Sequence, residues 1–379
     1  MRFLHTSDWH IGRQFHNVSL LDDQAHVLEQ VIQIAKRKAV DAIFVAGDIY
    51  DRAIPPAAAV SLLDSVVDRI VNELQIPLIV ISGNHDSAAR LSFAAKQLSR
   101  SGLHIIADLC EIPVPLVLDD TDGEVAIWGI PYADPAQVRN ALDVEVSDHN
   151  SAMAAVVDRI KAQRGQYQRN VAISHCFIDG ALECDSERPL SIGGADRIDW
   201  QLFADFDYVA LGHLHGRQFR GADHIRYSGS ILKYSFSEER QTKSVTIVDM
   251  DAQGHCKTDY VPLVALRDMR TLTGSLDEIL AAGAADPKRD DYLLVKLNDD
   301  IAILDVMGKL REVYPNVLHL ERPGLMKGTQ DVMRRAKQSM SELQMFDSFF
   351  QQVVGRKFSD QEASLARDVI EQLHDDREL

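Results

Sequence analysis

The chain has 379 residues, of which 46% are hydrophobic and 26% charged, a composition that excludes a disordered polypeptide. Its 40 Lys and Arg against 57 Asp and Glu give a net charge of −17, which argues against a protein that holds nucleic acid alone through a broad cationic face. The length predicts more than one domain, and apolar runs such as AIFVAG and PLIVISG are far shorter than the ~20 residues needed to span a bilayer.

The N-terminus, MRFLHTSDWH, places one acid and two histidines in the first ten residues, which leaves no apolar stretch for a signal peptide, so a cytoplasmic protein is expected. Cys110, Cys176, Cys184 and Cys256 show no CxxC pairing and are expected to be reduced thiols. From the start to about residue 260, short runs rich in Val and Ile alternate with helical stretches, the pattern of a layered α/β domain. RFLHT leads into SDWH, AIFVA into GDIYD, LIVIS into GNHD, NVAIS into His175 and YVAL into GHLH. Five strands thus end on polar, metal-competent residues, and α/β folds form their sites at the C-terminal ends of strands.

Between these motifs, Ala57 to Leu74 lacks Gly and Pro and carries Val60, Leu63, Val66, Val67, Ile70 and Leu74 at helical spacing. It reads as a helix packed on the sheet, with a dimer contact as the sharper alternative. Between about Thr271 and Met326 the pattern changes: DYLLVKLN reads as a strand, LDVMGKLREVY as a helix and NVLHLE as a second strand, a small βαβ-like lobe. Leu343, Phe346, Phe350 and Val353 form one helical stripe, and Ala366, Val369, Ile370 and Leu373 form another, with Ser359 and Glu362 as a capping box before the second. The resulting division is 1–265, 266–330 and 331–379, the last a C-terminal helical hairpin.

Asp8 and His10 stand two apart after a strand, so in an extended segment both side chains would point to one side and could share an ion. His213 and His215 repeat that spacing, and Asp48, Asn84 and His175 lie between the pairs. Two cations about 3.5 to 4 Å apart need a bridging carboxylate, for which Asp48, directly after its strand, is the leading candidate. Mixed N and O donors suit Mn, Fe or Zn better than Ca, and manganese is the expected ion. The nine histidines other than these four and His85 read as ordinary polar residues. Arg13, Arg52, Arg90, Arg217 and Lys233 stand near the motifs as candidates for phosphate contact, set against the plainer reading of surface charges.

DWH, GDIYD, GNHD, the isolated His175 and GHLH resemble, in order, the five signature segments of the calcineurin-like metallophosphoesterases. That resemblance implies a β-sandwich flanked by helices, one metal held by Asp8, His10, Asp48 and His215, and a second by Asp48, Asn84, His175 and His213. It also implies that His85 points at the substrate phosphate and that Asp51 orients it, which predicts a hydrogen bond between Asp51 and His85. Water between the metals would be the nucleophile.

GDIYDR and GNHD differ from the GDxVDRG and GNHE segments of the protein phosphatases. SERPLSIGGAD, the YSGS segment from Tyr227 to Ser230 and SFSEE near Ser237 instead make the whole chain look like the SbcD family, the nuclease subunits of bacterial SbcCD complexes. One departure is Ile231, which stands where that family usually has proline. This resemblance implies a metal-dependent 3′ to 5′ double-strand DNA exonuclease and hairpin endonuclease in repair and recombination, associated with the nucleoid. Its partners would be DNA and an SbcC-type coiled-coil ATPase docked on the hairpin. The lobe would be a capping domain, and the Ala57 to Leu74 helix would form a homodimer within a heterotetramer. The residues themselves agree in one respect: without a GxxxxGK[ST] segment, any ATP dependence must come from another polypeptide. The alternatives are a small-molecule or cyclic-nucleotide phosphodiesterase with the same centre, which would need neither lobe nor hairpin, and a noncatalytic DNA-end scaffold, which would have no use for His85.

Overall fold

The apolar runs become strands because each is short, rich in β-branched residues and closed by Gly, Asp, Asn or Ser. In a computed structural model, which describes residues 1–188, 190, 196–301, 303–323, 346, 350, 356 and 358–375, they assemble into two six-stranded sheets. The first runs Cys256–Pro262, Ser244–Met250, Arg2–Thr6, Ala42–Ala46, Leu78–Ile81, Leu103–Ile106. The second runs Gln218–Arg220, Ala222–Tyr227, Tyr208–Gly212, Arg169–His175, Gly123–Ile130, Leu116–Asp120. Each contains four neighbouring parallel strands, with antiparallel strands at one margin of the first sheet and at both margins of the second. Parallel strands share a C-terminal edge, so the loops that leave them gather on one side.

Period-two alternation decides which side chains fill the sandwich. Phe3, Ala42, Phe44 and Ile79 of the first sheet pack in one core with Val125, Ile127, Val171, Ile173, Tyr208 and Ala210 of the second. The alternate residues Ala126, Trp128, Ala172, Val209 and Leu211 belong to another core, with Val138 and Leu142 of the Pro135–Leu142 helix and Val156, Val157 and Ile160 of the His149–Arg164 helix. His5 is a satisfied core residue: its Nδ1 meets the Tyr208 hydroxyl at 3.0 Å and its Nε2 the Leu211 carbonyl at 3.1 Å. All four cysteines are free thiols.

The helix predicted over residues 57–74 is α-helical at Ala57–Val67 and continues as a π-helical stretch at Asp68–Glu73. A π turn inserts extra residues per turn and rotates the faces of the helix beyond it. Ile70 and Val71 are both buried, whereas Val60 is exposed.

The chain divides into two compact units, Met1–Arg270 and Thr271–Leu379. The second has more structure than a βαβ motif. Tyr292–Leu297 and Val317–Glu321 pair in parallel, with the Val306–Val313 helix between them in sequence. A further strand, Met269–Gly274, and a helix, Leu276–Gly283, were not predicted. The signal for that helix lies in the sequence, because Ser275 and Glu278 form a reciprocal capping box. Leu276, Ile279, Leu293, Val295, Leu310 and Val317 share one core.

At the C-terminus, Asp360–Asp375 is a helix and its predicted capping box is present, with Ser359 N–H donating to Glu362 at 2.9 Å. Phe346 and Phe350 pack on Phe358 with ring centroids 5.5 and 4.6 Å away. The remainder of the first stripe, Leu343 and Val353, lies outside the described residues. Among the described residues no helix is long and apolar enough to cross a membrane.

Candidate metal centre

Asp8, His10, Asp48, Asn84, His175, His213 and His215 stand at the C-terminal ends of Arg2–Thr6, Ala42–Ala46 and Leu78–Ile81 in the first sheet and of Arg169–His175 and Tyr208–Gly212 in the second, and converge. The expectation that Asp8 and His10 meet through strand alternation is corrected here. Asp8, His10 and Asp48 have φ of 52°, 46° and 51°, and His213 has φ of 102°, so left-handed loop residues aim these side chains. Such non-glycine conformations cost of order 1–3 kcal/mol each and persist only where the surrounding structure enforces them. Here Asp8 N–H donates to the Gly47 carbonyl at 3.1 Å and His10 N–H to the Asp48 carbonyl at 2.9 Å.

Two glycines permit the approach. A Cβ at Gly83 would collide with the Asp48 carboxylate, and one at Gly212 would collide with the Ala46 carbonyl. The glycines of GNHD and GHLH thus serve as points of loop contact, as well as turns.

Asp8, His10 and His215 form one group of mutually close donor atoms, and Asp8, Asp48 and His175 form another. One oxygen of Asp48, Oδ2, lies 3.6 Å from His10 Nε2 and 3.4 Å from His175 Nε2, between the two groups. Its other oxygen accepts the His85 backbone N–H at 2.9 Å. Asn84 Oδ1 is 2.9 Å from His175 Nε2 and 3.3 Å from His213 Nδ1.

The electrostatics fit a pair of cations. Asp8 and Asp48 are 0% and 2% exposed. Burial, with Asp48 adding to it, pushes the Asp8 carboxyl up to about 7. Burial alone would also raise Asp48, but the neighbouring His175 and His10 hold it well below the usual carboxylate range. His175 Nδ1 must donate to the Ala46 carbonyl, 2.9 Å away, so Nε2, which faces oxygens of Asn84 and Asp48, is where a proton or a cation binds. Burial opposes its protonation, but Asp48 and Asp8 outweigh this and raise it to about 9. Several lone pairs directed at one point require a positive charge there, and a divalent ion supplies more than one proton can.

The predicted contact between Asp51 and His85 exists, but through a different atom. His85 Nδ1 donates to the Asp51 backbone carbonyl at 2.8 Å. The Asp51 carboxylate instead accepts from Arg13 Nη1 at 3.2 Å, and it stands 3.7 Å from His10 Nδ1, which has no hydrogen-bond partner among the described residues. Arg13 is also occupied with the Ser186 carbonyl at 3.2 Å. Of the other candidates for phosphate contact, Lys233 is committed to Asp268 at 2.7 Å and Arg217 bonds Ser244 and stacks over Tyr260, while Arg52 and Arg90 are exposed.

Two sets of residues were missed. Asp86 accepts three backbone N–H groups, from Ile49 at 3.1 Å, Tyr50 at 3.0 Å and Gly83 at 2.9 Å, and so ties the GDIYD turn to the GNHD turn. Its place inside GNHD was the available signal. Ser186, Glu187 and Glu238, from the SERPL and SFSEE segments, surround His215, and nothing local in the sequence assigns them there. The YSGS segment packs on the same histidine: Gly229, at φ 79°, leaves no room for a Cβ against the His215 carbonyl.

A sandwich with this convergence of Asp, Asn and His defines a dinuclear-type phosphoesterase fold, and the profile of the calcineurin-like phosphoesterases matches residues 1–217. The chain belongs to that family of metal-dependent hydrolases. Residues 265–354 match a second family, the type 5 capsule protein repressor C-terminal domain. The chain is 35% identical over 321 residues to the SbcD subunit of the nuclease SbcCD from Staphylococcus epidermidis, covering 84% of this chain and 85% of that one. It is 32% identical over 357 residues to the same subunit from Staphylococcus saprophyticus, covering 94% of each. Within the phosphoesterases, the chain therefore belongs to the SbcD family of nuclease subunits.

Proposed function

We propose that the chain hydrolyses DNA phosphodiesters at a two-manganese centre, as a 3′ to 5′ exonuclease on duplex ends and an endonuclease on hairpins, in repair and recombination. The observation that carries this reading is the position of Asp48 Oδ2 between two groups of buried donors. Asp48 would be the bridging ligand, with Asp8, His10 and His215 on one ion and Asn84, His175 and His213 on the other. When bound, such a pair neutralises the scissile phosphate and lowers the pKa of an attacking water.

The protein's own groups complete the chemistry. Asp48 Oδ1, held by the His85 backbone N–H, leaves Oδ2 for the bridge. His85 donates Nδ1–H to a carbonyl, which can only accept, so the ring is held with Nε2 free to face a phosphate oxygen or the leaving oxygen. Asp51 orients His85 through its main chain in this reading, and its carboxylate serves Arg13.

An acidic chain of net charge −17 needs help to hold a polyanion. A coiled-coil ATPase of the SbcC type, bound at the 331–379 hairpin, would provide it, and 266–330 would be a capping domain that helps admit DNA to a 1–265 nuclease domain. A homodimer through the Ala57 helix would place two centres in one heterotetramer in the cytoplasm, at the nucleoid. Deleting residues after Met340 should abolish ATPase association and spare nuclease activity.

The direct test is cleavage of end-labelled duplex and hairpin DNA with Mn²⁺, beside Asp48→Ala and a small phosphodiester. DNA cleavage that Asp48→Ala abolishes supports the nuclease reading. Hydrolysis of the small ester alone would move the substrate to small molecules.

A further inference from the structure

Outside the converging side chains, a buried polar chain ends on one of them. Glu238 is 0% exposed, and Lys243 Nζ donates to its Oε2 at 2.6 Å. Its Oε1 accepts from Tyr234 N–H at 3.1 Å, Ser235 Oγ at 3.1 Å and Ser186 Oγ at 2.5 Å. The carboxylate itself stops 3.7 Å from His215 Nδ1, and Ser186 Oγ spans that gap, 2.6 Å from the ring nitrogen.

The direction of each bond follows from what each group can do. A carboxylate facing an ammonium group and a backbone N–H accepts only, so the Ser186 hydroxyl spends its one hydrogen on Glu238. Its oxygen then has only lone pairs to offer His215, and Nδ1 must carry the ring hydrogen. Nε2 is left as the lone-pair nitrogen, 3.1 Å from His10 Nε2 in the first donor group. That nitrogen is thereby open to a cation shared with the donor atoms of Asp8 and His10.

Ser186 is itself held in place. Arg13 Nη2 donates to its carbonyl, and Glu187, next in sequence, accepts the backbone N–H of His215 at 2.6 Å and of Cys184 at 2.7 Å. The segment is thus fastened to both the ring and the main chain of His215.

We propose that Ser186, anchored by Glu238 and Lys243, is a positioning residue that fixes the tautomer and ring orientation of His215 for metal binding. Partners of this kind behind a ligating histidine typically contribute 10- to 100-fold in metal affinity. The inference rests on the metal-centre reading above but needs no DNA cleavage for its test.

The experiment is a Mn²⁺ titration followed by electron paramagnetic resonance on the full chain, with Ser186→Ala, Ser186→Thr and Glu238→Gln. The expected result is two ions on the unsubstituted chain, with one of the two weakened about 10- to 100-fold in Ser186→Ala and in Glu238→Gln. Ser186→Thr, which keeps the hydroxyl, should restore that site. Equal binding by Ser186→Ala and the unsubstituted chain overturns the proposal, as does loss of both ions together or a loss that threonine does not repair. An unsubstituted chain that binds no pair of ions would overturn the metal centre itself.

Discussion

Replacing Asp86 should separate an acceptor's role from a charge's. Its carboxylate holds three backbone N–H groups on two turns: Oδ2 takes Ile49 and Gly83, and Oδ1 takes Tyr50. A buried donor left without an acceptor costs about 1–3 kcal/mol. Asp86 is half-buried, so water can reach part of the vacated space, and the lower end of that range applies. Asp86→Ala should therefore lose about 3 kcal/mol. Asp86→Asn keeps one carbonyl oxygen for Ile49 and Gly83 but turns an N–H₂ toward Tyr50. It also removes a charge that burial, with repulsion from Asp48, pushes up to about 7. Its loss should be about 1 kcal/mol. Urea unfolding of the metal-free chain measures both. Equal losses for the two variants would show that the carbonyl acceptor does not matter and would refute the clamp. Because the clamp positions Asn84, Asp86→Ala should also weaken Mn²⁺ binding more than Asp86→Asn does.

Asp51→Asn preserves the main-chain carbonyl that His85 uses, so its kcat on DNA should stay within about tenfold, whereas His85→Ala should lose about 10²–10⁴-fold; equal losses would return the orienting role to the Asp51 carboxylate. Asp120 pairs with Arg169, whose side chain is 1% exposed, at 2.6 and 2.8 Å, so Asp120→Ala strands a buried cation and should cost about 3 kcal/mol, read by chemical denaturation. Arg169 holds the Asp120 carboxyl well below its ordinary value; the pair's stabilisation is full above pH ~4 and is lost as pH falls further, so the variant should show a shallower acid dependence there. Mn²⁺ at about 100 times its Kd should raise stability by about 2.7 kcal/mol per occupied site, seen as a higher melting temperature that chelation reverses; no shift would count against a pre-formed centre.

The five strand-end motifs were legible in the sequence because strand periodicity and turn residues are local properties, and a strand's C-terminal end predicts where its next residues lie. The same locality made the capping box at Ser359 and Glu362 readable, and would have revealed the helix after Ser275. What sequence could not decide is which atom of a residue does the work. Asp51 was correctly linked to His85, yet the bond uses its carbonyl, because the turn that places Asp51 beside Arg13 spends the carboxylate there. Asp8 and His10 are spaced as in a strand, but left-handed loop residues aim them, at a cost that contacts with the Asp48 turn, Gln24 and His213 sustain. Ser186, Glu238 and Lys243 reach His215 from more than 20 residues away in the chain, and Glu238 and Lys243 read locally as surface charges until packing removes water from around them. Sequence alone determined the donor types and the edge at which they emerge, while tertiary structure decided their protonation and hydrogen-bond partners, since those depend on burial and on contacts between loops distant in the chain.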